Sequence, residues 1–282
     1  MKMTPFPGAM VAREDRGKAF SPSAELAVCL DASKLNHSCR HNAHHSWNAN
    51  LGRLTAHAVR NIVAGEEITI NRLDPASVVK DRAGRQKYLQ EKEHIPERRC
   101  ELCSLPEPER LRSDARRAKI ETLYAEVGSW ERLPELPVGK LLRAGRQVLE
   151  LAREEEGLYD AVLEYVAENA YGTVAEHRNE ARGFLFAKIL HEARLVKYGD
   201  DHPETMRCKL SLARFNTEKV PRGLSEDELD GWLWMRPGTE GCDGDEVLPR
   251  NFDTFTPDRW NTFVENVLLD QWYGPGNWSR AN

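Results

Sequence analysis

The sequence predicts an α+β fold, in which a small β-rich segment comes first and an all-α part follows. Three observations support this prediction. Residues 51–59 and 67–70 have the alternation and the β-branched content of short strands. Cys100 and Cys103 form a Cys-x-x-Cys pair about thirty residues further on, a spacing typical of metal ligands. Beyond Pro106, apolar residues recur at helical spacing over long stretches.

Composition limits the classes of function. With 282 residues, of which 40% are apolar, the chain can form one large or two ordinary domains. A net charge of −5 and a pI near 6.0 argue against a surface that coats nucleic acid. No stretch approaches the roughly 18 apolar residues of a membrane span, and the N-terminus lacks an apolar signal core. We therefore expect an intracellular protein, in the nucleus or the cytoplasm, that binds neither nucleic acid nor membrane directly.

The first residues of the chain predict little regular structure. Residues 1–25 are rich in Pro, Gly, Ser and charge and show no period, so we expect an irregular segment. Residues 26–30 are apolar enough for a short buried strand or helix. The β-rich domain is predicted over 26–106, and residues 81–93 within it read as a short amphipathic helix.

The all-α domain is predicted over 107–236. Apolar residues recur at helical spacing as antiparallel helix pairs joined by short turns, and Gly157 stands in the position of a helix C-cap. Ser225 to Glu228 is a capping-box pattern that predicts a further helix. Residues 237–282 are predicted to be a Gly/Pro-rich linker and a last helix that starts at Thr256.

Two motifs of the β-rich segment carry a family resemblance. Asn36-His37-Ser38-Cys39 with Asn42, followed by Gly65-Glu66-Glu67-Ile68-Thr69, resembles the C-terminal half of a SET domain. This domain is the catalytic module of lysine methyltransferases that use S-adenosyl-L-methionine. Cys100-Glu101-Leu102-Cys103 resembles the post-SET zinc motif. SET proteins of fungi and animals with an inserted zinc-finger module also carry a helical, tetratricopeptide-like C-terminal domain, and residues 197–205 resemble a tetratricopeptide turn.

The resemblance implies a cofactor site. It places Asn36 and His37 against S-adenosyl-L-methionine, together with the strand of Glu67. An Asn amide suits a zwitterionic amino-acid moiety because it both donates and accepts hydrogen bonds. The alternative is that Asn36 caps a turn and that His37 is a core histidine. A complete SET domain begins with a Gly-x-Gly segment around the cofactor, and none precedes Asn36, so we expect a truncated or diverged site in which binding is weak or lost.

The residue expected to be catalytic departs from the family pattern. The family has a tyrosine just after the Gly-Glu-Glu strand, with its hydroxyl beside the reacting nitrogen, and Arg72 occupies this position. An arginine keeps its charge. At about 5 Å and an effective dielectric near 20, that charge would repel a sulfonium or an ammonium by roughly 3 kcal/mol. We therefore expect Arg72 to make the site inactive if its side chain points inward; if it points outward, the hydroxyl is still missing.

The zinc motif also departs from the pattern Phe-x-Phe-x-Cys-x-Cys-x-x-Cys. Arg98 holds the place of its first cysteine, and His94 and Pro96 hold the two Phe places, one of which covers the adenine of the cofactor. Cys39, Cys100 and Cys103 remain as three ligands, whereas structural zinc takes four. His94 or water would have to complete the site. The alternative is three reduced cysteines without a metal.

Two functions of different class follow from these observations. The first is a protein-lysine methyltransferase of the SET type, truncated or impaired, with a helical domain that meets a protein substrate. The second is a non-catalytic SET protein whose helical domain binds a protein partner.

Overall fold

The computed structural model describes residues 11–13, 26–95, 100–127, 138–155, 157–176, 179–213, 215 and 220–239. The last helix predicted from Thr256 lies outside the described residues, as do Pro96, Arg98 and the stretch 128–137 between two predicted helices. The fold class is α+β, as predicted: short strands come first and helices follow.

The strands of the described residues form two sheets. A two-stranded antiparallel sheet pairs β1 with β2, and a four-stranded sheet has the order β3-β6-β4-β5. In the larger sheet β4 and β5 form an antiparallel hairpin, whereas β6 runs parallel to both β3 and β4. The strands are β1 (Val11–Arg13), β2 (Leu26–Val28), β3 (Asn36–His37), β4 (Ala43–Asn48), β5 (Arg53–Ala58) and β6 (Thr69–Ile70).

Strand β1 corrects the prediction for residues 1–25. We expected this segment to be irregular, and the expectation is wrong at Val11–Arg13. A strand of three residues is too short to show a period in the sequence. It forms because β2 provides an antiparallel partner, with Val11 opposite Val28 and Arg13 opposite Leu26. For residues 26–30, the strand alternative is the observed one.

Helices make up most of the remaining described chain. None of the described helices is both long and apolar enough to cross a membrane. The helix predicted over 81–93 is confirmed, and Asp81 caps it by accepting a hydrogen bond from the amide of Gly84. The helices are α1 (Arg82–Lys92), α2 (Glu107–Val127), α3 (Val138–Arg153), α4 (Tyr159–Glu176), α5 (Glu180–Tyr198), α6 (Pro203–Leu212) and α7 (Glu226–Leu233).

The chain divides into two compact units, at points other than the predicted boundaries after residues 106 and 236. Unit 1 comprises residues 1–118 and 194–207, and unit 2 comprises residues 119–193 and 208–282. The segment 194–207, which we predicted within the helical domain, therefore belongs with the β-rich unit.

In unit 1, the turn between α5 and α6 packs against the hairpin of β4 and β5. The Asn48 side chain is fully buried, and its Nδ2 donates a hydrogen bond to Oδ1 of Asp201 at 2.9 Å. Its Oδ1 accepts from the amide of Asn50 at 3.0 Å. Nε2 of His202 lies 3.1 Å from the carbonyl oxygen of Trp47 and is the donor of this pair. These contacts make the turn a structural part of the unit.

In unit 2, an arginine of α3 and an arginine of α5 bind helix α7. The guanidinium of Arg182 lies 4.1 Å from the centre of the buried Trp232 ring and donates two hydrogen bonds to the Trp232 carbonyl. Arg146 pairs with Asp230 at 2.9 Å. The capping box predicted at Ser225 is confirmed. Helices α3 and α4 pack against each other, while the tetratricopeptide-like character of this part stays a prediction.

Candidate functional site

Strand β6 lies between β3 and β4 and brings the two motifs of the β-rich segment together. Asn36 is aligned with Thr69, and His37 with Ile70, in parallel register. Beyond β3, the amide of Ser38 donates to the carbonyl of Ile70 at 3.0 Å. Residues that are far apart in sequence therefore share one surface of the sheet.

Asn42 holds the Gly-Glu-Glu segment in place. Its Nδ2 donates to Oε1 of Glu66 and to the carbonyl of Glu67, both at 2.9 Å. Its Oδ1 accepts from the amide of Thr69 at 2.8 Å. The side chain is 1% exposed, so an alanine here would leave buried polar groups without partners. Asn42 belongs to the motif that carries the resemblance, for which no role was predicted, and its side-chain amide fixes the segment.

A cleft opens beside these residues. Its volume is about 640 Å³, within the usual range of small-molecule sites. Asn36 donates a short hydrogen bond from Nδ2 to Oε1 of Glu67 at its wall. The pKa of Glu66 is lowered to about 2, first by the hydrogen bond from Asn42, then by Arg60 and by the amide of Val63. The lining residues are Asn36, His37, Ser38, Arg40, Asn42, Arg60, Glu66, Glu67, Thr69, Cys100 and Glu101.

His37 is buried and links the end of β6 to the cysteines. Its Nδ1 accepts a hydrogen bond from the backbone amide of Arg72 at 3.1 Å. Its Nε2 lies 3.5 Å from Sγ of Cys39. Because Nδ1 is an acceptor, the neutral ring carries its proton on Nε2 and donates it to the sulfur. His37 thus combines a place at the wall of the cleft with the contacts of a structural histidine.

The side chain of Arg72 points neither into the cleft nor to solvent. Its Nη2 donates to the carbonyls of Leu35 at 3.0 Å and of Ser33 at 3.3 Å. Its Nη1 lies 3.9 Å from the carboxylate of Glu93, and the side chain is only 8% exposed. Burial raises the pKa of Glu93, and Arg72 works against that shift. Within the described residues, Arg72 is not part of the cleft lining. The positive charge of Arg72 is therefore partly compensated by Glu93, but position 72 still lacks the hydroxyl of the family tyrosine.

Cys39, Cys100 and Cys103 lie close together, as the predicted zinc site requires. Their sulfurs all lie within 4.8 Å of one another, and those of Cys39 and Cys103 are 3.9 Å apart. Cys100 accepts hydrogen bonds from Cys103 and Cys39, which lower the pKa of its thiol. The pKa of Cys39 is raised, first by its hydrogen bond to Cys100. His94 is exposed, and no His, Asp or Glu of the described residues joins this group as a fourth ligand.

A buried arginine adjoins the three sulfurs. Arg85 of helix α1 is 1% exposed, and its Nη2 lies 3.9 Å from Sγ of Cys103. Burial alone would lower the pKa of Arg85, but attraction to Cys39 and Cys103 outweighs it and the shift is upward. We did not predict this contact, because helical periodicity alone does not show which buried position of an amphipathic helix faces the cysteines.

The residues fit the two groups that the resemblance implies. Three sulfurs at about 2.3 Å from one zinc ion would lie roughly 4 Å apart, close to the observed spacing. A cleft that presents amides, carboxylates and guanidinium groups suits the charged ends of an amino acid. The predicted cofactor residues Asn36, His37 and Glu67 meet there, while His94 does not line the cleft in the described part of the chain.

Comparison with known proteins agrees with this geometry. Residues 12–71 match the family model of the SET domain. The chain therefore contains a SET domain over these residues. Histone-lysine N-methyltransferase set5 of Schizosaccharomyces pombe is similar to it, with 34% identity over 219 residues. That match covers 73% of this chain and 66% of the relative, which is just under two thirds of the relative's length. The family match also begins earlier in the chain than the boundary that we predicted at residue 26.

Proposed function

We propose that this chain is a protein-lysine methyltransferase that binds S-adenosyl-L-methionine in the cleft of Asn36, His37 and Glu67, with a rate reduced by Arg72. The observation that carries the proposal is the cleft itself, where two motifs of the resembled family form one polar wall. Similarity to a protein named as a histone-lysine methyltransferase supports a histone lysine as the substrate.

Each residue has a chemical task in this proposal. S-adenosyl-L-methionine, when bound, supplies an electrophilic methyl group. Asn36 and Glu67 hold the charged ends of its amino-acid part by hydrogen bonds and ionic contacts. The accepting lysine must lose a proton, since its ordinary pKa is about 10.4. Position 72 offers no hydroxyl to align the uncharged amine, so methyl transfer is slow.

The test is a titration of the full chain with S-adenosyl-L-methionine. NMR spectra recorded at each step monitor the titration, because NMR detects weak binding. We expect a dissociation constant in the millimolar range, and further weakening in Asn36→Ala and Glu67→Gln. Asn61→Ala, an exposed site outside the cleft lining, serves as the control and should bind like wild type. A dissociation constant below about 10 µM, roughly 2.7 kcal/mol tighter than millimolar, would contradict the weakened site. No binding at all would contradict the proposal.

The second candidate is a non-catalytic SET protein whose helical part binds a protein partner. The position of Arg72 favours it, because a guanidinium fixed to two carbonyls and to Glu93 is not available for catalysis. A radiometric assay on histones separates the candidates. The methyltransferase predicts slow transfer that increases in Arg72→Tyr, whereas the binding protein predicts none in either chain.

We also propose that the helical part contacts the protein substrate or partner, and that the protein acts in the nucleus or the cytoplasm. The net charge of −5 supports a protein rather than a nucleic acid as the direct partner. Imaging of the tagged full chain in a fungal cell tests the compartment, and a secreted or membrane-bound signal would contradict it.

A further inference from the structure

We propose that Arg85 is the counter-charge of a three-thiolate zinc site, and that it balances the net negative charge of that site. This inference rests on the zinc reading of Cys39, Cys100 and Cys103, which is part of the family resemblance. The role of Arg85 goes beyond that reading, because it concerns a helix residue outside the cysteine motifs.

The contacts of Arg85 are the first argument. Its side chain is 1% exposed, which is rare for an arginine unless the charge is paired. Nη1 donates to the carbonyl of Lys80 at 2.5 Å, and Nη2 lies 3.9 Å from Sγ of Cys103. No carboxylate of the described residues lies within ion-pair distance of this guanidinium. The sulfurs, ionised when they bind zinc, would therefore supply the negative charge beside this guanidinium.

The charge balance is the second argument. Zinc carries a charge of +2, and three thiolate ligands carry −3, so a three-thiolate site with a neutral fourth ligand has a net charge of −1. One guanidinium beside the sulfurs makes the total zero. A fourth thiolate would instead leave a net charge of −1 in a buried place, which is costly. With Arg85 present, a site of three thiolates and one neutral water is uncharged overall. Without Arg85, the same site would have a net charge of −1.

The position of Arg85 is the third argument. Helix α1 begins at Arg82, whose Nε donates to the carbonyl of Cys103 at 3.1 Å. The first turn of the helix is thereby fixed to the backbone of a ligand, and Arg85, one turn later, is aimed at its sulfur. Groups that contact metal ligands in this way typically change metal affinity by about 10- to 100-fold when they are mutated.

The experiment measures zinc affinity of the full chain by competition with a chelator of known affinity, using zinc alone as the probe. We expect one zinc per chain in wild type, a loss of affinity of about 10- to 100-fold in Arg85→Met, and a smaller loss in Arg85→Lys, which keeps the charge. Arg117→Met is the matched control. Arg117 is equally buried, but its Nη1 donates to the carbonyl of Val78, so this variant should keep wild-type zinc affinity even if it is less stable.

The outcomes separate the role of Arg85 from the zinc site itself. Unchanged zinc affinity in Arg85→Met would overturn the counter-charge and leave the zinc site standing. A wild-type chain that binds no zinc would overturn both, while the cofactor titration would still decide the proposed function. If Arg85→Met does not fold, Arg85→Gln carries the same test, since it keeps a polar hydrogen-bond donor at this position while the charge is lost. Equal losses in the Arg85 and Arg117 variants would show a general effect of stability and would also overturn the proposal.

Discussion

The backbone amide of Arg72 donates a hydrogen bond to Nδ1 of His37 across 3.1 Å. The same ring faces Sγ of Cys39 at 3.5 Å through Nε2. One imidazole therefore connects the end of strand β6 with the cysteine cluster and is held in a single tautomer by both contacts. His37 therefore links the residue at the family tyrosine position to Cys39, one of the three clustered cysteines.

The first prediction concerns this ring. His37→Gln can satisfy only one of the two contacts, so a buried group loses its partner, which costs about 1–3 kcal/mol. We expect the free energy of unfolding, measured by urea denaturation, to fall by that amount. His94→Gln serves as the control because His94 is exposed, and it should stay within about 0.5 kcal/mol of wild type. A His37→Gln chain as stable as wild type would show that the ring does not hold the two elements together.

The second prediction concerns Arg72. Arg72→Ala removes the donor to the carbonyls of Ser33 and Leu35, and we expect it to lower the free energy of unfolding by about 1–3 kcal/mol. Arg72→Tyr restores the hydroxyl that the family uses, and we expect methyl transfer to histones to increase by roughly a hundredfold.

The two Arg72 variants separate charge from hydroxyl. Arg72→Ala removes the charge without adding a hydroxyl, and because Glu93 already compensates the charge in part, it should gain little activity. Robust methylation by the unchanged chain, or equal rates in the Ala and Tyr variants, would contradict the assigned role of position 72.

The third prediction concerns pH. Burial, followed by the positive charge of Lys197, lowers the pKa of His41 from 6.5 to about 3. Below pH 6.5 the unfolded chain therefore takes up a proton that the folded chain does not. His41 therefore does not reduce the free energy of unfolding above pH 6.5. As the pH falls from 6.5 toward 3, its contribution lowers the free energy of unfolding by about 1.4 kcal/mol per pH unit. Between pH 6.5 and pH 5 this amounts to roughly 2 kcal/mol.

Urea denaturation at several pH values checks this expectation. His41→Gln cannot be protonated, so its stability should fall less steeply across the same interval. His57, whose pKa burial also lowers, contributes equally in both chains and cancels in the comparison. Parallel pH profiles of the two chains would contradict the prediction.

The fourth prediction concerns the turn that packs on the hairpin. Gly199 has a φ of +86°, and a Cβ at this position would lie 2.7 Å from Cε1 of His57. Gly199→Ala thus combines backbone strain with a steric clash, and we expect a loss of about 2–4 kcal/mol in the free energy of unfolding. Gly52→Ala is the matched control, because its φ is +59° with nothing within 4 Å. Equal losses of unfolding free energy in the two variants would mean that the His57 side chain moves aside without cost, and would contradict the predicted clash.

Local signals predicted much of this fold. The helical periods, the capping box at Ser225 and the strand over residues 53–58 were all visible in the sequence, because each depends on residues that are close along the chain. The Cys-x-x-Cys spacing and the resemblance likewise led to the three sulfurs that converge.

Long-range contacts were not predictable in the same way. Strand β3 has only two residues and exists because it pairs with β6, which lies within the strand predicted over residues 67–70. The direction of the Arg72 side chain depends on two carbonyls and a carboxylate from other parts of the chain. The segment 194–207 has the pattern of a turn between two helices, and nothing in that pattern shows that it packs on a hairpin of unit 1.

The hydrogen bond between Asn48 and Asp201 has a consequence for biosynthesis. The two residues are 153 positions apart, with half of unit 2, residues 119–193, between them. During translation the ribosome releases the hairpin long before it releases Asp201. The side-chain amide of Asn48 therefore cannot form its hydrogen bond to Asp201 until the intervening helices have been synthesised. At about 5–20 residues per second, this interval lasts on the order of ten seconds. Unit 1 of the nascent chain therefore completes this contact only after the ribosome has synthesised the first half of unit 2.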